Sequence, residues 1–149
     1  MDNTQPITLR ISAVALFLTE GDRPEVLLLH QMTPPEPDCW DLPGGGIEPH
    51  EPLMEGLRRE VQEETGITQF EVGPIVSVTE SFFDAGAGMR HAISLVYRCS
   101  ISPKPTALSS QDPEVGPKGI QWLLVTDLRR ADCSTRAWRS LQALELVPA

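Results

Sequence analysis

The chain has 149 residues, a formal net charge of −9, and hydrophobic and charged fractions of 40% and 22%. That length and balance fit one globular domain, residues 1–149, with enough apolar surface for its own core. The acidity argues against generic binding to nucleic-acid backbones, which takes a basic face that displaces counterions.

In chain order, the opening "MDNTQPITLR" lacks the basic head and apolar core of a signal peptide, so the expected location is cytoplasmic. Ile7 to Leu18 is β-rich, "EGDRP" supplies a turn, and Val26 to His30 is a continuous apolar run of the kind covered on both faces. The pair is predicted as a central hairpin. No apolar run is long enough to span a bilayer; "AVALFL" is the longest. Cys39, Cys99 and Cys133 are scattered without paired spacing, so idle thiols are expected rather than disulfides or a zinc site.

Three glycines, Gly44 to Gly46, precede a predicted helix, where bare backbone can turn sharply and approach a ligand. The helix is expected over Pro52 to Thr65, with Pro52 at its first position and Gly66 as a left-handed stop. A second hairpin is predicted to join Ile75–Phe83 to the alternating run Ile93–Ile101 through "DAGAG". Ser102 to Gly119 reads as a long polar loop, either a substrate lid or a mobile connector. A closing amphipathic helix follows, with Ser134 as its cap and Trp138, Leu141 and Leu144 on its apolar side. Intermixed strands and helices indicate an α/β fold.

The stretch "REVQEETG" carries the chemistry. Leu53, Met54, Leu57 and Val61 form the apolar stripe of the helix, while Glu60, Glu63 and Glu64 gather on an adjacent strip. Like charges three and four apart repel, and they sit where the helix dipole favours cations by about 0.3–1 kcal/mol each. A sequence tuned only for stability would avoid this; a hard divalent cation would compensate it. Helix physics alone leaves both a cation site and a solvated acidic face open.

The surrounding spacing adds to this. Gly45, Glu51, the run Arg59–Glu60–Val61, the pair Glu63–Glu64, and Gly66–Ile67 together resemble the Nudix box without a departure, and Trp40, Leu42, Pro43 and "IQWLLVTDL" near the end are also similar to the family. The resemblance implies a Nudix-type α/β/α sandwich, a mixed sheet between helices. It implies a Mg²⁺-dependent hydrolase, with Mn²⁺ as the alternative ion, cutting a diphosphate linkage in a nucleoside diphosphate joined to a group X. Glu60, Glu64 and Glu63, with the Gly45 carbonyl, are then the metal ligands. Glu63, Glu60, Arg59 and Glu114 are the catalytic set, with Glu80 behind Glu114 as an external base. Arg59 and Glu51 form a supporting ion pair.

Substrate contacts are expected from Trp40, Arg10, His30 and Arg90, with Gln31 and His91 as neighbours. Phe82 and Asp84 stand where the family's ADP-ribose and dinucleoside polyphosphate branches are expected to carry proline and tyrosine. That weakens both of those branches without naming a replacement; because the chain is short and shows no added domain, a nucleoside triphosphate or its damaged form is the first reading, and nucleotide sugars or ADP-ribose the second. Readings of other classes are a nucleotide-sensing module without turnover and a purely structural cation site. The expected partner is a small nucleotide, and the chain is read as a monomer or homodimer.

Overall fold

The computed structural model describes residues 6–149; residues 1–5, the start of the stretch read for a signal peptide, lie outside them. Seven strands run in chain order with one helix among them and one at the end: β1 (Ile7–Phe17), β2 (Glu25–Gln31), β3 (Cys39–Asp41), β4 (Gly44–Gly46), α1 (Leu53–Thr65), β5 (Glu71–Asp84), β6 (Met89–Ser100), β7 (Val115–Leu124) and α2 (Thr135–Ala143). Four strands form a mixed sheet in the order β4-β1-β6-β5, with β1 and β6 parallel. The other three form an antiparallel sheet, β3-β2-β7.

The expected β1–β2 hairpin does not form. The two strands meet at a Leu18–Val26 bridge, a 2.9 Å bond from the Thr19 N–H to the Glu25 carbonyl and a 2.7 Å bond from the Glu25 N–H to Thr19 Oγ1. A strand has two edges, and both edges of each are already taken: β1 lies between β4 and β6, β2 between β3 and β7. The second hairpin forms as expected, with β5 antiparallel to β6.

Alternation along β1 builds the sandwich. Val14 and Leu16 pack with Ala137, Trp138 and Leu141 of α2. Ala13, Ala15 and Phe17 pack with Leu57 and Val61 of α1. β2 repeats the pattern, sending Val26 and Leu28 to the α2 side and Leu27 to the α1 side. Successive side chains of a strand point to opposite faces, so two strands buried on both sides need a layer on each. The result is the expected α/β/α sandwich. Past the reach of α1, the same side of the mixed sheet continues as an exposed apolar strip with Leu9, Phe82 and Val78, and His91 stacks on Phe82 with ring centroids 4.2 Å apart.

Pro52 is the cap of α1 rather than its first helical residue, with an extended ψ of 147°. Gly66 closes that helix at φ 80°, a left-handed conformation glycine adopts without strain. At α2 the Ser134 hydroxyl accepts the Ala137 N–H at 3.1 Å. The loop read as Ser102 to Gly119 is shorter than expected because β7 begins at Val115. It is also docked: Ser109 N–H bonds the Thr65 carbonyl at 3.1 Å and Gln111 N–H the Glu63 carbonyl at 2.7 Å. Those carbonyls lie in the last turn of α1, where no intrahelical donor remains. Among the described residues no helix is long and apolar enough to cross a membrane.

Leu57 is fully buried, whereas Val78 is 60% exposed. Leu57→Ala should lower unfolding free energy by about 2–5 kcal/mol, and Val78→Ala by no more than ~0.5 kcal/mol. Urea titrations of both variants check this contrast.

Candidate active site

Beyond α2, the α2-facing side of the mixed sheet is the floor of a cavity of about 630 Å³. Register fixes its make-up: Ser12, Ser94 and Thr79 stand in one row, and Arg10, Ala92 and Ser81 in the next. Arg90, paired across to Phe83, also lines it. The wall on one side is Gly44, Gly45, Glu60 and Glu64; the first turn of α2, with Arg136, also lines the cavity. Thr33–Glu36 contributes from the β2–β3 loop and Asp112 and Glu114 from the loop before β7.

The glycines explain how α1 reaches this wall. β4 pairs antiparallel with β1, Ala13 opposite Gly45, so its other side meets the helix. A β-carbon at Gly45 would lie 2.5 Å from Glu60 Oε2, and one at Gly44 would lie 2.5 Å from the Ala13 carbonyl. Only bare backbone fits between strand and carboxylate. The Gly44 N–H donates to Glu64 Oε1 at 2.8 Å. A β-carbon at Gly46 would collide with the Arg10 guanidinium, which packs over that glycine.

Arg59 ties the unit together. Its Nε and Nη2 grip both oxygens of Glu51 at 2.8 and 3.0 Å, Nη2 also donates to the Gly46 carbonyl at 3.1 Å, and Nη1 reaches Glu60 Oε1 at 3.0 Å. The expected Glu51–Arg59 pair is therefore present, and it links glycine strand, connecting loop and helix. The Arg59 fork, and after it the Glu48 backbone N–H, hold the Glu51 carboxyl down at about 2.

Burial pushes Glu64 well above the ordinary carboxylate range; the Gly44 N–H opposes the shift and neighbouring Glu60 adds to it. Glu60 is also raised, by burial first, with Arg59 opposing and Glu63 adding. Two half-desolvated carboxylates that destabilise one another suit a divalent cation, whose charge favours the ionised form of both. Among the described residues no three His, Cys, Asp or Glu side chains are gathered as a ready cage. A hard divalent cation can be held by one or two carboxylates with water and substrate oxygens completing its shell. Glu60, Glu64 and the Gly45 carbonyl are the residues that would hold it.

The structure does not gather all the expected residues. Glu63 lies outside the cavity, its carboxylate 3.5 Å from Arg59 Nη1. Helical phase is the reason: Glu64 is turned about 40° from Glu60 in one sense and Glu63 about 60° in the other. Three converging glutamates become two. His30 is 3% exposed and structural: Nδ1 accepts the Lys118 N–H at 3.2 Å, so Nε2 carries the proton that goes to Asp38 at 2.7 Å. Trp40 also misses the cavity and packs against the α2-side core. Glu80 borders the cavity, but its carboxylate is engaged by His91 Nε2 at 2.6 Å, and His91 lies outside the lining. Arg10, Arg90, Gln31 and Glu114 do line the cavity.

Sequence reasoning missed Arg136, Asp41, Ser94 and Asp112. Arg136 binds Asp41 in a fork, Nε to Oδ1 at 2.9 Å and Nη2 to Oδ2 at 3.0 Å, and Nη1 donates to Ser94 Oγ at 3.2 Å. Burial works against the arginine's charge, and Asp41 more than offsets it. Asp41 beside the glycine run was visible; its partner 95 residues on was not. The thiols are idle as expected: all three cysteines are free and buried, with burial raising Cys39 and Cys99 to about 12 and Cys133 to about 11.

These features define an α/β/α protein in which a bare glycine strand and an acidic helix end form a cradle for a hard cation beside an arginine-bearing floor. A family model described as NUDIX domain matches residues 8–144, and the chain belongs to the Nudix family. It is 42% identical over 67 residues to the 8-oxo-dGDP phosphatase NUDT18 of Homo sapiens, covering 45% of this chain and 20% of that protein. It is 26% identical over 118 residues to the nucleoside triphosphatase NudI of Escherichia coli O1:K1 / APEC, covering 74% and 79%. The chain spans less than two thirds of the length of the first curated relatives it matches. Its fold is that of a MutT NUDIX hydrolase from Burkholderia pseudomallei, with a TM-score of 0.74, 24% identity, and 92% and 98% of the two chains covered.

Two measurements check this geometry. A carboxyl held below its ordinary value of 4.5 contributes stability above that pH and loses it as pH falls toward its folded value of about 2. The melting-temperature gap between wild type and Glu51→Gln should thus be constant above pH 5 and close between about 4.5 and 2. The native protein at pH 8 should leave all three thiols unreacted with a disulfide reagent over minutes, and expose all three in denaturant, because raised pKa values leave little thiolate.

Proposed function

We propose that the chain is a single-domain, metal-dependent Nudix hydrolase that cuts a diphosphate linkage in a nucleoside diphosphate-X compound, with nucleoside triphosphates as the substrate class. The observation that carries this reading is the placement of Glu60 and Glu64, both raised by burial, in one cavity with Arg10 and Arg90. Carboxylates hold cations, arginines hold phosphate oxygens, and a diphosphate needs both. The cavity volume lies within the usual range for small-molecule sites, roughly 300–1,000 Å³. The names of the two relatives, one a nucleotide phosphatase and one a nucleoside triphosphatase, support it.

Bound Mg²⁺, or Mn²⁺, would neutralise phosphate charge and lower the pKa of attacking water. Glu60, Glu64 and the Gly45 carbonyl would hold the ion. Arg59 keeps the Glu60 carboxylate in place while fixing the glycine strand through the Gly46 carbonyl. Arg10 and Arg90 bind the non-reacting phosphates, and Glu114 at the rim takes the proton from water. The docked loop before β7 sets the position of Glu114: its N–H bonds Asp112 Oδ1 at 2.9 Å.

Phosphate and pyrophosphate release from nucleoside triphosphates, nucleotide sugars, ADP-ribose and dinucleoside polyphosphates, with and without Mg²⁺, tests the reading. Turnover of triphosphates should require the metal and fall at least about 100-fold in Glu64→Gln. Turnover that survives in Glu64→Gln would sink the metal assignment. Stabilisation by nucleotides without turnover of any compound would support a sensing module instead. Arg59→Lys should lower kcat about tenfold or more, because an ammonium cannot make the fork to Glu51 and still reach Gly46 and Glu60.

A further inference from the structure

Building on the nucleotide reading above, we propose that Arg136 is a specificity-determining residue: its unspent N–H donors meet the substrate base where guanine, uracil and thymine carry a carbonyl and adenine and cytosine an amino group.

Arg136 sits in the first turn of α2 and lines the cavity. Its guanidinium makes three hydrogen bonds, two to Asp41 and one to Ser94 Oγ. A guanidinium carries five N–H donors, so two remain. The side chain is 23% exposed, and the cavity is where that exposure leads. The group cannot swing, because Asp41 is itself locked: its Oδ1 accepts the Leu42 N–H at 2.8 Å and the Ser134 hydroxyl at 2.7 Å. Oriented donors on a rigid frame read acceptors with little entropic cost.

Charge decides which part of the substrate Arg136 meets. Its positive charge is already balanced by the Asp41 fork, so it offers direction rather than net attraction. Arg10 and Arg90 form no ion pair among the described residues and carry the charge that phosphates need. The floor beside Arg136 is hydroxyl-bearing, with Ser12, Ser94 and Thr79, and the only further charge acting on its guanidinium among the described residues that line the cavity is acidic, from Glu64, which suits a neutral base rather than a second phosphate. An amino group in that position would set donor against donor and leave both unsatisfied in a confined site. Guanine O6 and uracil or thymine O4 present an acceptor there; adenine N6 and cytosine N4 present a donor.

The test compares kcat and KM for GTP, UTP, ATP and CTP at fixed Mg²⁺, and titrations of GMP, UMP, AMP and CMP without metal, on wild type and Arg136→Lys. Wild type should prefer the carbonyl bases by about tenfold or more in kcat/KM and in monophosphate affinity. In Arg136→Lys that ratio should fall to within about threefold, with the change carried by KM. A uniform loss across all four bases would make Arg136 a phosphate contact, and an unchanged ratio a structural strut; either overturns the proposal. If the lysine variant does not fold, the neutral pair Asp41→Asn with Arg136→Gln serves in its place, with the same expectation. Turnover without base preference overturns this inference alone. Base-selective monophosphate binding without turnover of any triphosphate overturns the hydrolase reading and leaves this inference standing. No binding of any nucleotide overturns both.

Discussion

The carboxylates of Glu60, partly buried, and Glu64, buried, face a strand that has no side chains, and the rest of the site is arranged around that unfavourable pairing. Desolvating two like charges costs free energy that no packing contact returns. The protein offsets part of it with one backbone donor at Gly44 and one guanidinium at Arg59. Neither neutralises the pair. A fold that keeps such a pair has a use for a cation, and a cation brought there meets a floor that carries Arg10 and Arg90.

Two arginine forks brace this cavity. Arg59 joins Glu51, Gly46 and Glu60 and so fixes the acidic wall to the glycine strand. Arg136 joins Asp41 and Ser94 and so fixes the start of α2 to β3 and to the floor. Both use the planar, two-pronged geometry that lysine cannot copy. The first fork braces the acidic wall, the second the hydroxyl-bearing floor.

The loop before β7 shows how backbone bookkeeping can position a side chain. The last carbonyls of α1 lack intrahelical donors, and the N–H groups of Ser109 and Gln111 supply them. That docking brings Asp112 and Glu114 to the rim. A stretch that by composition is only polar and proline-rich is held in place by the end of the helix whose glutamates it faces.

The sequence by itself determined the local elements and the acidic end of the site. Alternation in β6, the continuous apolar run of β2, the Ser134 cap and the Gly66 stop are all signals written within a few residues, as is the spacing of Gly45, Glu51, Arg59, Glu60 and Glu64. Tertiary structure alone decided which edges pair, so β1 and β2 parted into different sheets although a short turn joins them. It also decided which side chains share a cavity. Glu63 fell outside by a helical rotation of about 100° from Glu64, Trp40 and His30 were drawn into packing and backbone hydrogen bonds, and Arg136 met Asp41 across 95 residues. Periodicity and capping are local interactions and leave a trace in adjacent residues. Contacts between distant segments depend on how buried faces are shared among layers, which no single stretch of the chain encodes.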